Sequence, residues 1–216
     1  MSGPAMNKTA HLALSAALLP LTLVLAACNS EPAQQPLAEA PLAGAAIGGD
    51  FTLSDQDGKK RTWAEFEGKY RIVYFGYTNC PDICTPDMQN LMAGLKAFEK
   101  TSPDLAAKIQ PIFITVDPGR DTPEVLKQFV GAFHPRAIGL TGSEAEIADA
   151  AKKFAVYASR VDGSSPDAYL MSHSQTPYLM APDGKPLAIL PADQPKTDAN
   201  EGAPDLVAAD LAKWVW

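Results

Sequence analysis

Arg71-Ile72-Val73-Tyr74-Phe75-Gly76-Tyr77 is a dense apolar run of strand length. A strand that does not alternate has no face to give to water, so it belongs at the centre of a sheet covered on both sides. The rest of the chain supplies the cover. Thr85 to Lys100 carries Met88, Leu91, Met92, Leu95 and Phe98 at helical spacing. Ile112-Phe113-Ile114-Thr115-Val116 is a second buried strand. Thr122 to Phe133 reads as a helix, with Thr122 as N-cap, Pro123 first and Glu124 in the first turn. Ile138-Gly139-Leu140 is a short strand, and Ser143 to Phe154 a helix opened by a Ser143/Glu146 capping box.

The two ends of this core read as hairpins. Phe51-Thr52-Leu53 precedes the turn signal Asp57-Gly58, and Thr176 to Met180 and Leu187 to Leu190 flank Pro182-Asp183-Gly184. Pro204 to the end is a last helix with Leu206, Val207, Leu211 and Trp214 on one side. The expected order is β-β-β-α-β-α-β-α-β-β-α. Alternating strands and helices predict an α/β fold, a sheet flanked by helices, and the closing hairpin makes the sheet mixed.

The 216 residues fit one domain plus extensions, and 46% hydrophobic residues suffice for a core. A formal net charge of -7 argues against nucleic acid as a partner. Lys8 is the only fixed side-chain charge before Cys28, and an apolar run from Leu12 to Ala27 follows it. That run describes a secretory signal and is too short for a comfortable transmembrane helix. Met6 is an alternative start. Leu25-Ala26-Ala27-Cys28 resembles the bacterial lipobox, which implies cleavage before Cys28 and lipidation of it. The expected layout is a signal peptide over 1–27, a flexible Ala/Pro/Gly-rich tether over 28–49 and a folded domain over 50–216. The expected location is the bacterial cell envelope, anchored by lipid to the inner membrane and facing the periplasm.

Of the three cysteines, Cys80 and Cys84 remain as a pair once Cys28 is set aside. They lie in Cys80-Pro81-Asp82-Ile83-Cys84, directly after the buried strand, where sites are built in such sheets. Pro86 would break a helix that began at Cys80, so the expected helix has Thr85 as N-cap and Pro86 at its first position. Both thiols then sit on a loop ahead of it, where free N–H groups favour thiolate. Three residues separate them, against two in thioredoxin-type redox sites. The pair can be a disulfide, a metal site, or both in turn. Two soft sulfurs suit Cu(I), zinc or iron–sulfur chemistry, but a four-cysteine site is excluded within one chain. His11 lies in the signal and His134 in Phe133-His134-Pro135 reads as a solvent-facing or helix-ending residue. His173 is either structural or a third ligand.

These segments together resemble the Sco/SenC copper proteins. The likeness rests on Phe75-Gly76-Tyr77-Thr78-Asn79-Cys80-Pro81-Asp82-Ile83-Cys84-Thr85-Pro86 and on Val116-Asp117-Pro118-Gly119-Arg120-Asp121-Thr122-Pro123. Phe133-His134-Pro135 through Gly139-Leu140-Thr141-Gly142 is a third stretch. Ser172-His173-Ser174 followed by Tyr178-Leu179-Met180-Ala181-Pro182-Asp183-Gly184 is a fourth. The resemblance implies a thioredoxin-like fold and one copper ion, Cu(I) or Cu(II), bound by Cys80, Cys84 and His173. It implies assembly of the binuclear copper site of cytochrome c oxidase, by copper delivery or by thiol reduction, with the copper-site subunit as partner and a further copper chaperone as donor. It maps an acidic residue beside the metal to Asp117.

Three departures accompany the likeness. Ser172 stands where the family commonly has Asp before the ligand His, Val161 to Ala168 reads as a polar loop able to gate the site, and Pro191 to Ala203 looks like an insertion. Phe75, Tyr77 and Met180 read as core, Met171 as a soft donor near His173, and Asp117 equally as a turn cap. A thiol–disulfide reductase needs only Cys80 and Cys84 as redox-active thiols, and not His173. A peroxiredoxin-type peroxidase is disfavoured, because the Thr it places three residues before its reactive Cys is Tyr77 here.

Overall fold

A computed structural model describes residues 36–163, 168–193 and 200–216, with Met1 and Gly3. The strands are β1 (Thr52–Asp55), β2 (Lys60–Thr62), β3 (Tyr70–Gly76), β4 (Ile109–Thr115), β5 (Ile138–Thr141), β6 (Ala158–Val161), β7 (Leu170–His173), β8 (Tyr178–Met180) and β9 (Pro186–Ile189). The helices are α1 (Cys84–Thr101), α2 (Pro103–Ala106), α3 (Pro123–Phe133), α4 (Glu144–Lys153) and α5 (Pro204–Trp214). Seven strands form one mixed sheet in the order β2-β1-β5-β4-β3-β8-β9. This agrees with the thioredoxin-like α/β arrangement expected, and both predicted hairpins, β1–β2 and β8–β9, are antiparallel pairs.

The apolar run behaves as its composition requires. All seven residues of β3 are buried, and the strand pairs with β4 on one side and β8 on the other. β3 and β4 are parallel, with Gly76 opposite Thr115. Their carboxyl ends therefore emerge side by side, which sets the loop after β3 against the loop after β4. Arg71 is the polar exception in β3. It is buried, donates to the Ala181 carbonyl (2.9 Å) and stacks over the Trp63 ring at 4.5 Å.

The helices bury the stripes read from their spacing. Met88, Leu91, Met92, Leu95 and Phe98 of α1 are all buried. Gly94 lies within this helix although glycine costs about 1 kcal/mol there. A Cβ at Gly94 would fall 2.5 Å from Val207 Cβ, so the residue is there to let α5 approach. Thr122 caps α3 by accepting from Val125 N–H, and Ser143 and Glu146 form the predicted box on α4.

Several expectations need correction. Leu206 is exposed, and only Val207, Leu211 and Trp214 form the buried side of α5. Residues 36–49 do not stand off as a tether. Leu42 N–H donates to the Leu187 carbonyl, Gly48 N–H to the Lys153 carbonyl, and Leu37, Leu42 and Ile47 pack on the core. An Ala/Pro/Gly-rich composition hid these few apolar anchors. One element was missed altogether: β6 and β7 form a separate two-stranded antiparallel ribbon, and His173 is the last residue of β7. Cys28, the expected lipidation site, lies outside the described residues, as does most of the expected signal. Among the described residues, no helix is long and apolar enough to cross a membrane.

Candidate metal centre

β3 ends by placing backbone where a sulfur needs room. A Cβ on Gly76 would lie 3.0 Å from the Tyr74 ring, 3.1 Å from Phe113 and 3.2 Å from Cys84 Sγ. Glycine inside a strand marks such a close approach. The chain then turns through Tyr77 to Ile83 and enters α1. The helix starts earlier than the proline rule implied. Ile83 is the N-cap and Cys84 the first helical residue, with Asp87 N–H donating to the Ile83 carbonyl at 3.0 Å. Pro86 is tolerated one turn in, because the first four N–H groups of a helix have no intrahelical partner. No side-chain oxygen caps this end. Cys80 Sγ takes the place of one, accepting from Cys84 N–H at 3.4 Å.

A buried carboxylate ties the cysteine loop to the sheet. Asp121, fully buried, accepts from Thr78 N–H (3.0 Å), the Thr78 hydroxyl (2.6 Å) and the Thr115 hydroxyl (2.6 Å). Burial pushes its carboxyl upward in pKa, against the pull of those donors. A second buried acid, Asp87, accepts from Tyr74 hydroxyl at 2.7 Å, and its other oxygen has no partner among the described residues. Burial raises its pKa too.

His173 comes to this loop from the ribbon. Its Nε2 lies 3.3 Å from Cys84 Sγ, and the ring meets Tyr77 edge to face at 5.9 Å. Its Nδ1 lies 2.9 Å from the Ser174 carbonyl, which can only accept, so Nδ1 carries the proton and Nε2 points its lone pair at the sulfurs. Ser172 therefore does not leave the imidazole unheld: a backbone carbonyl orients it, as carbonyls do for metal-ligating histidines generally. The ligand atoms of Cys80, Cys84 and His173 all lie within 4.8 Å of one another. Both cysteines are free thiols.

The two sulfurs are not equivalent. Cys84 is fully buried, whereas Cys80 is partly exposed. The hydrogen bond from the Cys84 thiol, supported by the Cys84 and Ile83 backbone N–H groups and opposed by burial, lowers Cys80 to about 3. That same bond, together with burial, pushes the Cys84 thiol far up. The two shifts run in opposite directions, Cys80 toward thiolate and Cys84 toward thiol. Loading a metal on both sulfurs must therefore release the Cys84 proton.

Asp117 is close by but turned elsewhere. It is buried, and its carboxylate accepts from Arg120 Nε and from the Tyr169 hydroxyl (2.8 Å) instead of capping its own turn. Tyr77, Phe75 and Met180 are buried as expected for core, although Tyr77 also forms one wall against His173. Met171 packs against the core and lines a groove of about 590 Å³ with Val116, Ile147, Val156 and Tyr169. His134 is buried, not solvent-facing: it ends α3, takes Arg136 N–H on Nδ1 (3.1 Å) and pairs with Glu99 (3.2 Å). The loop expected to gate the site and the insertion before α5 lie partly outside the described residues.

Gly76, Asp87 and Asp121 were not singled out from sequence. Gly76 carried a signal, as a glycine inside an apolar strand. So did Asp87, which falls on the apolar stripe of α1, three residues after Cys84 and four before Leu91. Asp121 carried none, since an acid in a Gly-Arg-Asp-Thr turn reads as solvated.

The SCO1/SenC family model matches residues 39–208. A mouse protein, "Protein SCO2 homolog, mitochondrial", is 43% identical over 152 residues, which is 70% of this chain and 58% of that protein. The chain thus spans less than two thirds of that mitochondrial relative. Among solved structures, Arabidopsis thaliana ScoI with copper bound superposes with a TM-score of 0.68 at 36% identity, covering 78% of this chain and 97% of that one. Bradyrhizobium japonicum ScoI with copper bound gives a TM-score of 0.67 at 38% identity, covering 79% and 100%. With the family model matching residues 39–208 of its 216, the chain belongs to the SCO1/SenC family.

Proposed function

We propose that this protein is a copper metallochaperone that serves the assembly of the binuclear copper site of cytochrome c oxidase. The observation that carries the proposal is the convergence of two sulfurs and the Nε2 of His173 within 4.8 Å. Thiolates and imidazole are donors that copper favours over calcium or magnesium, and three of them leave a closed four-ligand zinc site incomplete. Copper is the cargo. Cys80, Cys84 and His173 hold it, and two thiolates on Cu(I) leave a net charge near -1. Cys80 is the more exposed sulfur, so an incoming ligand from donor or acceptor displaces it first. Oxidation of the pair to a disulfide removes both sulfurs from the metal, and redox state thereby gates transfer. The matching copper-bound relatives and the family's link to the oxidase support this function.

The proposed setting is the bacterial cell envelope, with lipid on Cys28 holding the domain at the periplasmic face of the inner membrane. The acceptor is the copper-site subunit of the oxidase, and the donor a further copper chaperone. Metabolic labelling with palmitate tests the anchor: label is expected on the wild type and lost in Cys28→Ala.

Anaerobic titration with Cu(I) against a competing chelator tests the function. One copper per chain is expected, with binding lost in Cys80→Ser and Cys84→Ser and weakened in His173→Ala. The loaded protein should then pass copper to the reduced copper-site domain of the oxidase. Stoichiometry unaffected by any of the three substitutions would refute the proposal.

A thiol–disulfide reductase is the alternative that one observation favours, namely the asymmetry of the thiols. Cys80, as thiolate, would attack a client disulfide and expel one client sulfur. Cys84 would then give up its proton and displace the client's other sulfur, leaving client dithiol and a Cys80–Cys84 disulfide. An external dithiol must restore the pair. Reductase activity that survives His173→Ala, without any copper transfer, would select this function.

A further inference from the structure

The ribbon that carries His173 is not hydrogen-bonded into the seven-stranded sheet. Each of its strands is four residues long, and a two-stranded hairpin is marginal by itself in water. Something else must fix where His173 stands. The most elaborate contact between ribbon and body is at Tyr169, the residue just before β7. Arg120 Nη1 donates to its carbonyl (3.0 Å), the Arg120 guanidinium lies 3.6 Å from its ring centroid, and its hydroxyl donates to Asp117 Oδ1 (2.8 Å). Asp117 in turn holds Arg120 through Nε. Arg160, from β6, lies 3.9 Å from the same ring. The three residues close a loop of hydrogen bonds and stacking, with Arg120 Nη2 left without a partner among the described residues, and Asp117 and Arg120 are fixed to the body by the turn after β4. Arg120 N–H and Asp121 N–H both donate to the Asp117 carbonyl, and Asp121 is the acid that ties down the cysteine loop. One short turn therefore grips both sides of the metal centre.

We propose that Asp117, Arg120 and Tyr169 form a clasp that positions His173 against the two sulfurs. None of the three touches the donor atoms; they act through the ribbon. Arg120 adds a second path, since its guanidinium lies 5.8 Å from the Tyr77 ring, the ring that abuts the imidazole. A planar guanidinium can stack and donate at once, which lysine cannot reproduce. The inference rests on the copper function proposed above, and assigns Asp117 a route to the site that runs through side chains on another element.

The test is a double-mutant cycle in the full chain, read by anaerobic Cu(I) competition with a chelator. Tyr169→Ala and Arg120→Lys should each weaken copper about 10-fold or more, within the range seen when groups that orient a ligand are lost. Tyr169→Phe, which loses only the Asp117 bond and keeps the stack, should lose less. In a His173→Ala background Tyr169→Ala should add nothing, because the residue it positions is gone. A second readout needs no metal. Amide hydrogen exchange at Ser174, whose N–H donates across the ribbon to the Tyr157 carbonyl, should speed up at least about 10-fold in the copper-free Tyr169→Ala protein, while β3 and β4 stay protected. Additive losses in the cycle, or unchanged exchange in the ribbon, would overturn the clasp. Copper binding indifferent to His173→Ala would instead refute the ligand set, leaving the exchange result to decide the clasp.

Discussion

Cys80 and Cys84 stand where a fully buried strand meets an 18-residue helix, whereas His173 ends a four-residue strand in a ribbon of two. The sulfurs are placed by the most strongly determined part of the molecule. β3 is hydrogen-bonded on both sides, its residues are buried, and α1 packs a full apolar stripe above it. The imidazole is placed by half-exposed backbone, one carbonyl and the Tyr169 contacts. Val161 and Leu170 on the ribbon are 49% and 47% exposed. On the copper function proposed above, the difference suits a site that both holds and releases its cargo. The two sulfurs sit where a buried strand meets a long packed helix, and the third donor sits on a short, partly exposed ribbon of the kind that opens most easily.

Substitutions that break this comparison should differ steeply in effect. Phe113→Ala, in the fully buried β4, should cost about 3–5 kcal/mol, measured by urea unfolding of the reduced protein. Cys84→Ser leaves the core nearly intact but should weaken Cu(I) by more than about 100-fold, beyond the range for groups that only orient a ligand, in a chelator competition. The thiol asymmetry gives a pH test. An ordinary thiol near pKa 8.5 loses thiolate about 1000-fold between pH 8 and pH 5. Cys80, lowered to about 3, stays ionised throughout, so its alkylation by iodoacetamide should be nearly flat over that window. Cys84 is raised and buried and should remain unmodified, as peptide mass spectrometry would show. Leu170→Ala, on the exposed side of the ribbon, should change stability by no more than about 0.5 kcal/mol.

The same contrast explains what could be read in advance. β3, β4 and the stripe on α1 were legible because each buries a continuous or periodic apolar surface, and α3 and α4 because their caps, Thr122 and Ser143 with Glu146, are local signals. The Cys80/Cys84 pair was legible because it directly follows such a strand. The ribbon was not. Ala158-Ser159-Arg160-Val161 and Leu170-Met171-Ser172-His173 mix polar and apolar residues, and their strand character comes from pairing with each other across a loop. The start of α1 was placed too late because a sulfur does the capping that Ser, Thr, Asp or Asn usually do, and no propensity rule counts Cys80 among caps. Asp117 was expected beside the metal on resemblance alone; its half-buried partners Arg120 and Tyr169 are 3 and 52 residues away in sequence, and only the fold joins them. Asp121 shows the limit most plainly. It lies in a hydrophilic turn, yet it is fully buried among two threonines that supply its hydrogen bonds.

X-ray absorption at the copper edge of the Cu(I)-loaded protein tests the central claim most directly. Two sulfurs and one nitrogen around copper are expected in the wild type, with the nitrogen scattering lost in His173→Ala and the sulfurs kept. A two-sulfur site without nitrogen, identical in both proteins, would contradict the account.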